Sequence, residues 1–158
     1  MPCASGSAIS RRGLSSGAGA PDLSARAQPR GGIRFRGMES LGKRLVEGVA
    51  AQDPAAIAAC FTAGAELRAL TPRGLREPTG GDEAAALIAA WFEDSTELEL
   101  VDSAAEQVAD KLHVSYRFEG VELGEPYVVE QHLYCVVADG KIERAELLCS
   151  GFRPRPAG

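Results

Sequence analysis

Glu130, His132 and Tyr134 stand at alternate positions of one largely apolar stretch, Tyr127 to Val137, so on a β-strand all three side chains leave the same face. An imidazole titrates near neutral pH and can pass a proton to or from an enol. A carboxylate two residues along can orient that ring, or act as a base whose pKa burial raises. Tyr116 or Tyr134 can donate a hydrogen bond to a developing oxyanion. Inside an apolar enclosure these types suit cofactor-free proton transfer on a small apolar carbonyl compound. The competing reading is a strand histidine satisfied by its neighbours, with Glu130 paired to an arginine, in a protein that only binds or dimerises.

The elements that must hold these residues follow from periodicity. Leu41, Leu45, Val46 and Val49 recur at helical spacing, which predicts a helix over 40–51 capped by Ser40. Asp53-Pro54 predicts a second helix with Ile57, Cys60 and Phe61 on one face and its end at Gly64. A short strand over 65–70 and a turn at Thr71-Pro72-Arg73-Gly74 come next. A third helix opens at Gly80-Gly81, capped by Asp82, and should bury the lone Trp91 against a sheet. Strands are then expected over 96–102, 108–118, 127–137 and 142–152, with a hairpin turn at Asp139-Gly140. In the second of these, Leu112, Val114, Tyr116 and Phe118 alternate with Lys111, His113, Ser115 and Arg117. The even positions must face the core, which leaves His113 to solvent or an interface. Helices first and strands last predict an α+β fold: a curved antiparallel sheet forming a cone, with about three helices on its concave face.

Charge divides unevenly. Residues 1–37 carry six arginines against Asp22, a net +5, and the remaining 17 − 6 = 11 bases and 22 − 1 = 21 acids give −10. An acidic domain is a poor partner for nucleic acid or anionic lipid. The first 37 residues are rich in Ser, Gly, Ala, Pro and Arg and show no sustained period; they read as a disordered basic tail, with Met38 an alternative start and one domain over 38–158. A transit peptide or a nucleic-acid arm is the functional alternative for that tail. The apolar run at 84–92 is about half of the roughly 20 residues a membrane span needs. Cys3, Cys60, Cys135 and Cys149 form no Cys-x-x-Cys pair, and with two histidines they suggest no metal site and no disulfide framework. The expectation is a cytoplasmic, cofactor-free protein. Phosphate loops, dinucleotide fingerprints and nucleophile elbows are absent from the sequence.

The order helix, Asp-Pro helix, short strand, helix, then strands ending in Ala138-Asp139-Gly140-Lys141-Ile142-Glu143-Arg144-Ala145-Glu146-Leu147 resembles the SnoaL-like branch of the nuclear transport factor 2-like superfamily, over about 41–152. The resemblance implies a cone-shaped fold with an internal pocket, often a homodimer through its sheet. Its members include ketosteroid isomerases, polyketide cyclases, dehydratases and epoxide hydrolases, so function must be argued from the site.

Which residues line the pocket depends on how the strands through Tyr116 and His132 pair. With residue pairs summing to an even number, Glu130, His132, Tyr134 and Val136 join Tyr116 on the concave face; with an odd sum, Gln131, Leu133 and Cys135 do. Alignment with the isomerase pattern favours the even register, since it sets His132 near that family's proton-donating aspartic acid. Both remain open at this point. The resemblance also has a gap: the isomerases' basic aspartate aligns best with Ala69, while Glu66 and Arg68 point the other way as a surface ion pair. The candidate catalytic residues are therefore His132 and Glu130. Tyr116, Tyr134, Trp91, Phe61, Leu147 and Cys149 are the candidate contacts for a small apolar ligand.

Overall fold

The computed structural model describes residues 32–155, with backbone alone for 32–35. Of the tail expected over 1–37, residues 1–31 lie outside the described residues, and 32–37 form the start of α1. Three helices and seven strands follow in order: α1 (Gly32–Ala50), α2 (Pro54–Ala58), β1 (Phe61–Thr71), β2 (Gly74–Arg76), α3 (Gly81–Ala90), β3 (Ser95–Val108), β4 (Lys111–Glu122), β5 (Glu125–Ala138), β6 (Lys141–Cys149) and β7 (Arg153–Pro154).

Local chemistry explains most of these boundaries. Leu41, Leu45, Val46 and Val49 put one stripe of α1 into the core. The helix begins at Gly32, so Ser40 lies within it and caps nothing. At Gly42 an added Cβ would stand 2.6 Å from the Ala105 Cβ and 3.0 Å from Val114 Cγ2, which is how closely α1 seats on β3 and β4. Asp53 caps α2 as its sequence predicts, accepting from the amides of Ala55 at 3.0 Å and Ala56 at 3.1 Å ahead of Pro54. That helix is a single turn, however, and Phe61 and Gly64 belong to β1. Gly80 rather than Asp82 occupies the cap of α3, and Asp82 and Glu83 sit in its first turn, where carboxylates favour the helix dipole.

The sheet runs β2-β1-β6-β5-β4-β3, with β7 paired to the start of β5. It is curved and unclosed, and it is mixed rather than purely antiparallel because β1 and β6 run parallel. The even positions of β4 face inward as expected: Leu112, Val114, Tyr116 and Phe118 are buried. They meet Leu41, Leu45 and Phe92 from the helical side in one apolar core. No helix among the described residues is long and apolar enough to cross a membrane.

The pairing of β4 with β5 is the odd one. Tyr116 stands opposite Gln131, His113 opposite Tyr134 and Glu122 opposite Glu125, leaving Leu123-Gly124 as a two-residue turn. Both turn residues have positive φ, +52° and +83°, the pattern of a hairpin turn whose twist matches that of its strands. Val129, Gln131, Leu133 and Cys135 consequently face the core, and the favoured even register is corrected. One residue of slip moves every side chain of β5 to the other face.

Leu123 is a poor residue for that turn: it carries a Cβ at positive φ and is 92% exposed. Leu123→Asn creates the Asn-Gly sequence that such turns prefer, and should raise the unfolding free energy by about 1 kcal/mol. Urea denaturation monitored by circular dichroism checks this; an unchanged or lowered midpoint would show that the turn carries no strain.

Candidate functional site

Inside the sheet, polar atoms are few; apart from the Tyr127 hydroxyl, which donates to Ser95 Oγ at 2.7 Å, those nearest the end of β6 form a chain. The Tyr116 hydroxyl donates to Gln131 Oε1 at 2.6 Å, and Gln131 Nε2 donates to Cys149 Sγ at 3.3 Å. The amide of Gly151 donates to the same sulfur at 3.4 Å. Tyr116 and Gln131 are fully enclosed, and among the described residues no buried side-chain nitrogen or oxygen lacks a partner. Burial pushes the Tyr116 phenol well above its ordinary pKa, so it stays a neutral donor. The Cys135 thiol is pushed up to about 12 by burial alone. Burial also raises Cys60, against the opposing charges of Arg44 and Lys141.

Cys149 marks where this chain reaches the surface. There β6 ends, Gly151 takes φ +79°, and the strand resumes as β7 beside the first residues of β5. Ser150 holds the break, exchanging backbone and hydroxyl hydrogen bonds with Glu130 at 2.9 Å each. An added Cβ on Gly151 would sit 2.6 Å from Pro72 Cγ, so only glycine lets the β1–β2 turn approach. The break opens a cavity of about 350 Å³, within the size range of small-molecule sites. Trp91, at the end of α3, and Phe152 supply its apolar wall; Cys149 also lines it, and Arg73, Arg76 and Arg153 stand around it with Thr71 and Glu122. A second recess of about 350 Å³ lies between α1 and α2 around Gly48 and Cys60, and touches none of the Tyr116–Gln131–Cys149 chain.

The outer face of the sheet carries a different array. Glu106 Oε1 lies 3.1 Å from His113 Nδ1, His113 Nε2 lies 3.2 Å from His132 Nδ1, and His132 Nε2 lies 2.9 Å from Glu130 Oε1. Arg117 closes the row at 2.7 Å from Glu130 Oε2, and Tyr134 stacks on His113 with ring centroids 4.6 Å apart. The three ring contacts involve four nitrogens. Each contact to a carboxylate needs an N–H and the contact between rings needs a third, whereas two neutral imidazoles bring only two. All three are hydrogen bonds only when the array holds one proton beyond two neutral rings. The Arg117 guanidinium, and after it the His132 ring, hold the Glu130 carboxyl below the usual carboxylate range. Glu130 is thus an ordinary ionised partner in half-exposed ion pairs, the kind that contribute about 1 kcal/mol or less.

Of the residues singled out from sequence, the cavity gathers Trp91 and Cys149, and Tyr116 reaches it through Gln131. Trp91 is half-buried at the cavity rather than enclosed. Phe61 and Leu147 are buried in the core. His132, Glu130 and Tyr134 lie on the outer face, apart from Tyr116, because β5 pairs in the odd register. Glu66 and Arg68 point outward as expected, yet pair with Arg144 and Glu77 rather than with each other. Arg73, Arg76, Phe152 and Arg153 come from segments far apart in sequence; the turn at Thr71–Gly74 was the sole local signal for any of them.

The SnoaL-like domain family matches residues 43–145, well over half of the 158-residue chain. The chain belongs to this family. Among curated proteins no relative matches the sequence. Solved structures resemble the fold of this SnoaL-like domain at low identity. A protein named as a SnoaL-like polyketide cyclase from Jannaschia sp. CCS1 aligns with TM-score 0.61 and 20% identity, over 78% of this chain and 91% of that one. A protein from Bacillus subtilis named as an isomerase gives 0.62 and 12%, over 73% and 87%. An epoxide hydrolase of the LEH-like type from M. tuberculosis gives 0.56 and 10%, over 74% and 85%. At these identities the likeness is one of fold.

The Cys135 thiol makes stability depend on alkaline pH. Its folded pKa, about 12, lies above that of a free thiol, so its contribution is fully present below about pH 8.5 and is lost as pH rises toward 12. Within that window the slope is at most about 1.4 kcal/mol per pH unit. Cys135→Ala should lower stability at neutral pH and flatten the alkaline slope measured by urea titration. An equal slope in both proteins would refute the assignment.

Proposed function

We propose that this SnoaL-like domain holds a small organic molecule in the cavity at the end of its sheet, as a binding protein. The observation that carries this is the cavity itself, walled by Trp91 and Phe152 and backed by the enclosed Tyr116–Gln131–Cys149 chain. Isomerisation, cyclisation or dehydration of an apolar carbonyl compound needs an acid–base group facing the guest; the names of its structural neighbours carry the first two of these, cyclase and isomerase. Of the titratable groups, Glu122 and Cys149 line the cavity beside its arginines, Tyr116 and Cys135 behind it are held protonated by burial, and the carboxylate–imidazole array faces outward. This supports binding over proton transfer by His132 and Glu130. The free, buried thiols of Cys60 and Cys135 favour a reducing, cytoplasmic setting.

Native mass spectrometry of the purified protein should reveal a small molecule that leaves on denaturation and is absent from Trp91→Ala. A ligand retained equally by that variant would place it elsewhere.

A second reading concerns the outer face, for which we propose a second copy of the chain as occupant. Leu75, Leu70, Leu148 and His132 stand side by side across β2, β1, β6 and β5, and the three leucines are 43–52% exposed. Flanking them are Glu66–Arg144 and Arg68–Glu77 pairs of both signs, so the surface is complementary to itself about a two-fold axis. Leu148→Glu should turn a dimer into a monomer in sedimentation experiments while leaving the circular dichroism spectrum unchanged. A wild-type chain that sediments as a monomer at high concentration would end this reading.

A further inference from the structure

Taking the cavity as the binding site, we propose that its guest is an organic anion, a carboxylate on a flat apolar body, gripped by Arg73, Arg76 and Arg153. Three guanidinium groups and one carboxylate, Glu122, line the cavity, which makes its wall 3 − 1 = +2. The domain around it is strongly acidic, since residues 38–158 carry 11 bases against 21 acids. A positive recess in a negative body concentrates anions at that one place.

The three arginines also differ from others in this protein. Arg68, Arg117, Arg144 and Arg155 are each paired with a carboxylate. Arg73, Arg76 and Arg153 have no carboxylate within 4.0 Å among the described residues. They are brought together from three segments: the β1–β2 turn, the end of β2 and β7. Two of these anchor points are fixed locally. Thr71 Oγ1 donates to the Gly74 carbonyl at 2.9 Å and accepts from the Arg73 amide at 3.2 Å, which holds the turn. Arg153 Nε donates to the Ser150 carbonyl at 3.2 Å, orienting its fork, while its terminal nitrogens make no hydrogen bond among the described residues.

Guanidinium forks recognise carboxylates through paired, charge-assisted hydrogen bonds. Trp91 and Phe152 add an apolar wall in the same recess, suited to a ring or a flat chain. A neutral alcohol or ketone would use the wall and leave the three exposed guanidinium groups to solvent, gaining nothing from them. An ammonium compound would meet a wall of its own sign. The chemistry therefore selects an aromatic or unsaturated carboxylate.

The test uses the full-length chain and two probes of matched shape, 1-naphthoate and 1-naphthalenemethanol, at low ionic strength. Half-buried Cys149 reports occupancy through its rate of modification by a maleimide, read peptide by peptide in a mass spectrometer; Cys60 and Cys135 are buried and serve as internal controls for folding. Naphthoate should slow modification of Cys149 at a concentration at least about tenfold below that of the alcohol. Arg73→Gln, Arg76→Gln and Arg153→Gln should each weaken naphthoate by about tenfold and leave the alcohol unchanged. Equal protection by both probes, or indifference of naphthoate to all three substitutions, would overturn the anion assignment and leave the cavity standing as a binding site. Absence of protection by either probe at millimolar concentration would remove the cavity itself, and the anion with it.

Discussion

The hairpin at Leu123-Gly124 holds β4 and β5 in a register that the rest of the site depends on. With two residues in the turn, Tyr116 meets Gln131 across the strands, and the interior of the sheet receives an amide instead of an imidazole. That amide is satisfied at both ends, by the phenol of Tyr116 and by the sulfur of Cys149. A three-residue turn would have sent His132 inward and Gln131 outward, with a different internal chemistry on the same fold. An unpartnered polar group in such an interior is costly, so the register and the hydrogen-bond chain support each other.

The mouth of the sheet is shaped by a second backbone device, the interruption of the last strand at Ser150-Gly151-Phe152. An uninterrupted β6 would continue beside β5 and place side chains where the cavity now lies. Instead Ser150 bonds to Glu130, Gly151 passes against Pro72, and Phe152 turns its ring to Phe92 and Tyr127, with centroids 5.6 and 4.7 Å away. The recess thus has a rigid aromatic side fixed by the core and a polar side built from turns. Loops and strand ends of this kind vary readily among proteins of one fold, which is why a shared architecture accompanies such different names among its structural neighbours.

Opposite faces of the same two strands carry opposite chemistry. Inward, burial keeps Tyr116 and Cys135 protonated; outward, Glu130 is kept ionised by Arg117 and His132. The row from Glu106 to Arg117 lies on the face where Leu75, Leu70 and Leu148 of three neighbouring strands are exposed beside His132, so any partner seated there would also enclose that row.

Much of the architecture is legible in the sequence because it follows from short-range rules. The spacing of Leu41, Leu45, Val46 and Val49, the Asp53-Pro54 cap, the alternation from Leu112 to Phe118 and the Asp139-Gly140 turn each depend on neighbours within a few residues. Side-chain alternation on β5 offers two faces, Val129-Gln131-Leu133-Cys135 and Val128-Glu130-His132-Tyr134; the first carries no ionised or imidazole group and is the cheaper one to bury, a weak signal that alignment with the isomerase pattern outweighed. The choice fell to a turn whose Leu-Gly sequence lacks the usual Asn-Gly or Asp-Gly signature. The parallel contact of β1 with β6 and the meeting of Arg73, Arg76 and Arg153 join residues many positions apart, and such juxtapositions leave no local periodicity to read. Periodicity and element order by themselves determined an α+β domain with a known inner face on β4, and the likeness of that order to SnoaL-like proteins supplied the family; only the tertiary structure decided which face of β5 joined it and where the cavity opened, because register and strand termination are set by long-range backbone hydrogen bonding rather than by the identity of any one side chain.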